Sequence, residues 1–207
     1  METTAHADGT LAARLAARLR ALRAERALTL DALAERAGVS RSMISLVERG
    51  ESSPTAAVLD RLAAGLGVTL ASLFAEDARP DASPVSRRGE QVSWRDPATG
   101  YLRRNLSPPG YPSPIELVEV LLPEGARVAY DAPAAARGVG QQVWVLEGRL
   151  ELTTGDVVHL LSPGDCLAMD LDRPIVFRNP GDRRTRYLVA LAAASPAAHV
   201  VARAGVP

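Results

Sequence analysis

The sequence predicts an α+β protein of two domains, a helical first third followed by an antiparallel β-rich half, and three observations predict it. Leucines recur at three- and four-residue spacing through the first 74 residues, as one buried stripe per helix requires. The stretch EDARPDASPVSRRG, residues 76–89, is rich in Pro, Ser and charge and carries neither periodicity. After it come the short runs QVSWRD, GYLRRNL, IELVEVLL, ARVAY, QQVWVLEG, RLELTT, VVHLL, CLAMDL, PIVFRN and TRYLVAL, punctuated by PPG, PEG, TTGD, SPGD and NPGD turns. The expected organisation is a flexible N-terminus over 1–10, a helical domain over 11–75, a linker over 76–89, a barrel or sandwich over 90–192 and a frayed tail over 193–207.

Five helices are expected in the first domain. Helix one carries Leu11, Leu15, Leu19 and Leu22 at helical spacing. Thr29 caps helix two, with Leu28 and Leu33 placed to close over the cap, and Gly38 stops it. Ser40 caps helix three, in which Ile44 and Val47 face inward and Arg41, Ser42 and Ser45 outward. Ser53-Pro54 opens helix four as cap and first helical residue, and Gly65 and Gly67 end it. The fifth helix is TLASLF, whose Leu70, Leu73 and Phe74 would join Leu33, Ile44, Leu59, Leu62 and Leu66 in one core.

Residues 33–54, LAERAGVSRSMISLVERGESSP, place two short helices about a glycine turn, the geometry that seats one helix in the major groove of DNA. From about Leu11 to Phe74 the order of residues resembles helix-turn-helix domains of the Cro-repressor or xenobiotic-response-element type, a lambda-repressor-like fold. That resemblance implies binding of double-stranded DNA, with Thr29, Ser40, Arg41, Ser42, Ser45 and Arg49 at the interface. It also pairs Arg23 with Glu48 as a partly buried scaffold ion pair, and Gly50 ends the recognition helix where a left-handed residue is needed. Residues 11–74 hold nine arginines against six acids in a chain of net charge zero, a modest phosphate footprint suited to two copies on a palindromic operator. The alternative within this fold is an antitoxin-like protein that binds another protein.

QQVWVLEGRLEL followed by LLSPGDCLAMDLDRPIVFRNPGD resembles the two motifs of the cupin family, from roughly Val85 to Ala192, and implies an antiparallel β-barrel, the double-stranded β-helix. In that family three histidines and a glutamate hold a divalent metal. Counting from Gly148 and Asn179 places Gln141 and Ile175 at two of those positions, and the upstream pair falls near Ala135 and Arg137, with Asp131 as another candidate for the first. One oxygen donor without imidazole partners does not make such a site, so neither metal nor other cofactor is expected. His159 lies in an apolar strand and Cys166 follows a turn with no adjoining base, which predicts a buried inert thiol.

Alternation points Gln141, Val143 and Val145 inward, and Ile175 and Phe177 likewise, with Tyr130 and Arg137 as neighbours at the mouth. These residues either line a mostly apolar effector pocket or fill a barrel whose task is dimerisation. Trp94, Tyr101, Tyr130, Trp144, Phe177 and Tyr187 are expected to share the sheet core. A single cysteine excludes an internal disulfide, and no apolar run approaches the roughly 18 residues of a membrane helix, which predicts a cytoplasmic chain. The expectation is a dimeric DNA-binding regulator, not an enzyme, with a small-molecule effector; the competing class is an enzyme whose cupin domain acts without metal.

Overall fold

The computed structural model describes residues 3–74, 79–131 and 140–192, with side chains from residue 12. Four α-helices make the first domain: α1 (Thr3–Glu25), α2 (Leu30–Ala37), α3 (Arg41–Glu48) and α4 (Ala56–Leu66). Leu15, Leu19, Leu22, Leu33, Ile44, Val47, Leu59, Leu62 and Leu66 are buried together, so each leucine stripe faces one core. Thr29 caps α2 by accepting the Ala32 N–H at 3.1 Å, and Leu28 and Leu33 are buried on either side of that cap. Gly38, with φ of 61°, ends α2 in the left-handed region.

Three helix boundaries differ from those expected. α1 begins at Thr3, not beyond residue 10, because alanines and the absence of proline let the helix propagate backward from Leu11. α4 is capped by Thr55, whose Oγ1 accepts the Val58 N–H at 3.3 Å, and Pro54 lies outside the helix. The position of that end is set from the other domain: Asp96 Oδ1 accepts the Ala56 N–H at 3.0 Å. Gly65 lies inside α4, where a Cβ would come 2.9 Å from Ala37 Cβ, and Gly67 alone ends the helix, with φ of 70°. The expected fifth helix is a 3-10 turn over Ala71–Leu73. Thr69 Oγ1 accepts the Ser72 N–H at 3.2 Å and closes a single turn, since six residues are too few to recover the cost of nucleating an α-helix. Leu73 is buried all the same, and Leu70 and Phe74 pack against the core.

Every expected β run forms a strand: β1 (Ser93–Arg95), β2 (Leu102–Asn105), β3 (Ile115–Leu122), β4 (Arg127–Tyr130), β5 (Gly140–Glu147), β6 (Leu150–Thr154), β7 (Val157–Leu161), β8 (Cys166–Asp170), β9 (Ile175–Arg178) and β10 (Thr185–Ala192). They form two antiparallel sheets, ordered β1-β2-β3-β10-β5-β8 and β4-β9-β6-β7. The closed barrel is therefore corrected to a sandwich: among the described residues no strand of one sheet pairs with a strand of the other. A tight turn at Gly155 keeps β7 on β6, whereas the Gly164 turn, whose N–H reaches Val145 O at 2.9 Å, sends β8 across to β5. The glycine of the LEG motif, Gly148, has φ of 79°, and a Cβ there would lie 2.9 Å from the Arg184 carbonyl oxygen.

Between the sheets Val118, Val120, Leu122, Val143, Val145 and Tyr187 meet Leu150, Leu152, Ile175 and Phe177. Trp144 does not join them: strand alternation turns it outward, 47% exposed, opposite Cys166 of β8. Cys166 is itself exposed, which corrects the expectation of a buried thiol. His159 is half-buried on the edge strand β7, 3.5 Å from Thr154 Oγ1. Residue 75 at the end of the expected helical domain, residues 76–78 of the expected linker, the tail from 193 and His199 lie outside the described residues.

The two domains share a boundary built from side chains. Asp131 donates its N–H to Asp60 Oδ2 of α4 at 3.0 Å, and Asn105 Nδ2 donates to the Phe74 carbonyl at 3.3 Å. Phe74 stacks obliquely on Trp94, ring centroids 5.8 Å apart, and receives the Arg103 guanidinium at 5.4 Å from its centroid. Among the described residues no helix is long and apolar enough to cross a membrane.

Candidate nucleic-acid interface and cavity

Ser40 Oγ accepts the Met43 N–H at 3.2 Å and starts α3, and Ile44 and Val47 are buried beneath it. Arg41, Ser42 and Arg49 are left exposed, with Ser45 half-buried between them. Arg41 Nε is 3.3 Å from Asp31 Oδ1 in an exposed pair, which binds the guanidinium weakly and leaves it able to exchange partners. Arg49 donates to Ser45 Oγ and, at 2.8 Å, to Glu51. Ser42 Oγ lies 3.2 Å from Ser40 Oγ. Thr29 is exposed at the start of α2, its hydroxyl engaged in the cap.

The scaffold pair implied by the resemblance is present. Arg23 Nε and Nη2 donate to Glu48 Oε1 and Oε2 at 2.6 and 2.8 Å, a two-pronged fork, while Nη1 donates to the Leu28 carbonyl at 2.9 Å. Arg20 donates to the Glu48 backbone carbonyl. Two guanidinium groups of α1 thus sit at the negative end of the α3 dipole and fix its angle. Arg49 closes that helix, and Gly50 follows with φ of 70°.

In the second domain, Tyr130, Gln141, Ile175 and Phe177 line a cavity of about 80 Å³, as expected for inward-facing positions. Val143 is fully buried in the core and is absent from the cavity wall. Arg137 lies outside the described residues. Aromatic faces dominate the wall: Tyr130 meets Phe177 edge-on at 5.9 Å and Phe177 stacks on Tyr187 at 5.7 Å. Burial pushes the phenols of Tyr130 and Tyr187 well above their usual range, so both remain neutral.

Sequence reasoning missed Asp60, Tyr101, Arg103 and Tyr187 on this wall. Alternation on β2 and β10 puts Arg103 in phase with Tyr101 and Tyr187 with Val189, and carried enough signal to find three of them. Asp60 had none, because it comes from α4 of the other domain. It is 6% exposed, and burial, with the like charge of Asp131 adding and the Asp131 N–H opposing, raises its carboxyl to about 6.

Residues 19–73 match the family described as HTH_3, helix-turn-helix. Over 179 residues, 86% of this chain and 93% of its relative, the sequence is 27% identical to the HTH-type transcriptional regulator SutR of Escherichia coli (strain K12). Among solved structures it is similar to an HTH_3 family transcriptional regulator from Vibrio cholerae, with a TM-score of 0.69 and 28% identity over 91% of this chain and 99% of that one. A Cupin_2 domain of an XRE family transcriptional regulator from Enterobacter cloacae is 20% identical, covering 46% of this chain and 98% of that one, with a TM-score of 0.41. With α3 presented outward on the Arg23–Glu48 scaffold, residues 19–73 form a helix-turn-helix domain of the HTH_3 type, and over most of its length the chain is similar to transcriptional regulators that carry such a domain.

Proposed function

We propose that this regulator reads a palindromic operator as a homodimer through the outer face of α3, and that the cavity of its cupin-type domain takes a small-molecule effector, making it a binding protein and not an enzyme. The observation that carries the reading is that the cavity wall is shared. Asp60 lines it, and Asp60 belongs to α4, which packs on α2 through the Gly65–Ala37 approach. A ligand in the cavity therefore touches a helix of the DNA-binding domain. One short recognition helix makes few base contacts, and two copies about 10 to 10.5 base pairs apart supply the affinity. Exposed Val157, Val158 and Leu160 on the edge strand β7, the last 72% exposed, support pairing with a second copy.

The positions that cupins use for metal ligands hold Gln141 and Ile175, both on the cavity wall. An amide oxygen is a weak ligand and isoleucine none, so this wall does not suit a divalent transition metal. Elemental analysis of the purified protein is expected to find less than stoichiometric iron, manganese, nickel or zinc, and chelators to leave DNA binding intact. One metal per chain, removable with loss of thermal stability, would reverse that reading. The effector is tested by native mass spectrometry of protein purified from its own cell, where a retained small molecule supports the sensor. Sedimentation of the full chain at micromolar concentration is expected to show a dimer, and a monomer on DNA would overturn the paired reading.

A further inference from the structure

Resting on the effector reading, the geometry points to the chemical class of the ligand: we propose that the cavity takes a small organic cation, an amine or quaternary ammonium, held against Tyr130, Phe177 and Tyr187 with its charge facing the Asp60 carboxylate. Arg173 is exposed and paired with Asp172 at 2.8 Å. Arg103 faces Glu116 Oε1 at 3.6 Å and its guanidinium covers Phe74, with Nε and Nη2 buried and without a hydrogen bond among the described residues. Asp60 is buried and has no cation among the described residues. Its Oδ2 accepts the Asp131 N–H, and its Oδ1 has no hydrogen bond there. The like charge of Asp131 acts on it as well, and with Arg103 facing Glu116 and Arg173 facing Asp172 the formal balance at this mouth is negative.

Three aromatic rings supply the rest. Their faces carry negative charge density and attract a cation within about 6 Å of a centroid, most strongly where water is excluded. An aromatic wall with one desolvated carboxylate is the arrangement that recognises alkylammonium groups. Size limits the ligand further. At roughly 10 to 15 Å³ per water-sized site, the cavity of about 80 Å³ holds about five to eight non-hydrogen atoms, the bulk of a tetramethylammonium or butylammonium ion. A cation at Asp60 also offsets the cost of keeping that carboxylate desolvated, so binding and α4 are linked through one residue.

The full chain is titrated by calorimetry with tetramethylammonium, butylammonium and butyrate. Saturable binding of either cation, weakened about tenfold or more in Asp60→Asn and in Tyr130→Ala, and no binding of butyrate, is the expected result. Asp60→Asn keeps an oxygen for the Asp131 N–H, so its fold is preserved; circular dichroism checks this. Binding of butyrate that depends on Arg103, or cation binding unchanged in both variants, overturns the proposal. So does the absence of binding by both cations. In that last case a neutral or anionic molecule retained in native mass spectra leaves the effector reading standing with a different ligand class, and empty spectra remove both.

Discussion

Replacing Glu48 with alanine tests the scaffold on which the DNA-binding reading rests. The carboxylate is 5% exposed and receives both prongs of the Arg23 fork. Its loss strands a guanidinium whose remaining bond is to the Leu28 carbonyl. Breaking a buried pair from one side costs about 3 to 5 kcal/mol, and the part of Arg23 that water reaches lowers the expectation to about 2 to 4. If the joined domains melt together, each kcal/mol shifts the midpoint of a chain of about 200 residues by about 2 to 4 °C, so a fall of roughly 4 to 16 °C is expected. Calorimetry or far-ultraviolet circular dichroism measures it. Operator affinity, read by fluorescence anisotropy below the melting range, falls as well, because α3 loses the contact that sets its angle. Arg23→Met with Glu48→Met removes both charges and recovers part of the loss, since an apolar pair of similar volume carries no stranded charge. A melting temperature for Glu48→Ala within 1 °C of the parent would show that the Arg23–Glu48 fork does not hold α3 in place, whatever happened to DNA binding.

Arg41→Ala is expected to weaken operator binding by about 1 to 3 kcal/mol without lowering the melting temperature, because among the described residues its partner is the exposed Asp31; unchanged anisotropy would remove it from the interface. Gly65→Ala places a Cβ 2.9 Å from Ala37 Cβ and 3.1 Å from Ala37 Cα, and overpacking of α4 on α2 should cost about 1 to 3 kcal/mol in urea unfolding, so an equal or raised midpoint would contradict that close approach. The Asp60 carboxyl, held at about 6 against an ordinary 3.8, penalises the folded state above pH 6, and the penalty is relieved as pH falls from 6 toward 4, by at most about 3 kcal/mol for a shift of two units. The stability difference between parent and Asp60→Asn should therefore favour the variant at pH 7 and shrink toward pH 4, and a pH-independent difference would contradict the shift.

Local order was legible wherever side chains and backbone decide matters over a few residues. Thr29, Ser40, Gly38 and the alternating runs from QVSWRD to TRYLVAL each announce a cap, a stop or a strand, and each is found in place. The errors arise where another part of the chain intervenes. The start of α4 depends on Asp96, forty residues on, and a reading of Ser53-Pro54 alone has no access to it. TLASLF has the composition of a helix but not the length. Trp144 was placed in the core by residue type when its parity on β5, opposite to that of Val143 and Val145, already turned it out. Sheet closure depends on which strand each turn delivers to which edge, and the SPGD turn reads the same in a barrel as in a sandwich. The cavity was half visible: strand phase gave Gln141, Ile175 and Phe177, while the acidic part of the wall came from a helix assigned to another domain.

That same contact sets what signalling between the domains has to overcome. α4 is held to the second domain by Asp96 at its N-terminus and by the Asp60–Asp131 bond in its middle, both hydrogen bonds to carboxylates. Bonds of this kind contribute about 1.5 to 3 kcal/mol each. Two of them amount to about 3 to 6 kcal/mol, the upper part of which exceeds the usual allosteric coupling of 1 to 3 kcal/mol. A ligand that broke both would have to spend most of its binding energy on separation. A ligand that competes for Asp60 alone disturbs one bond and leaves Asp96 as a pivot at the end of α4. Rotation about that pivot would act on α2, and on the turn that carries α3, through the close Gly65–Ala37 approach. A ligand of that kind would tilt the reading helix within a joined molecule and change the spacing of two paired helices without separating the domains.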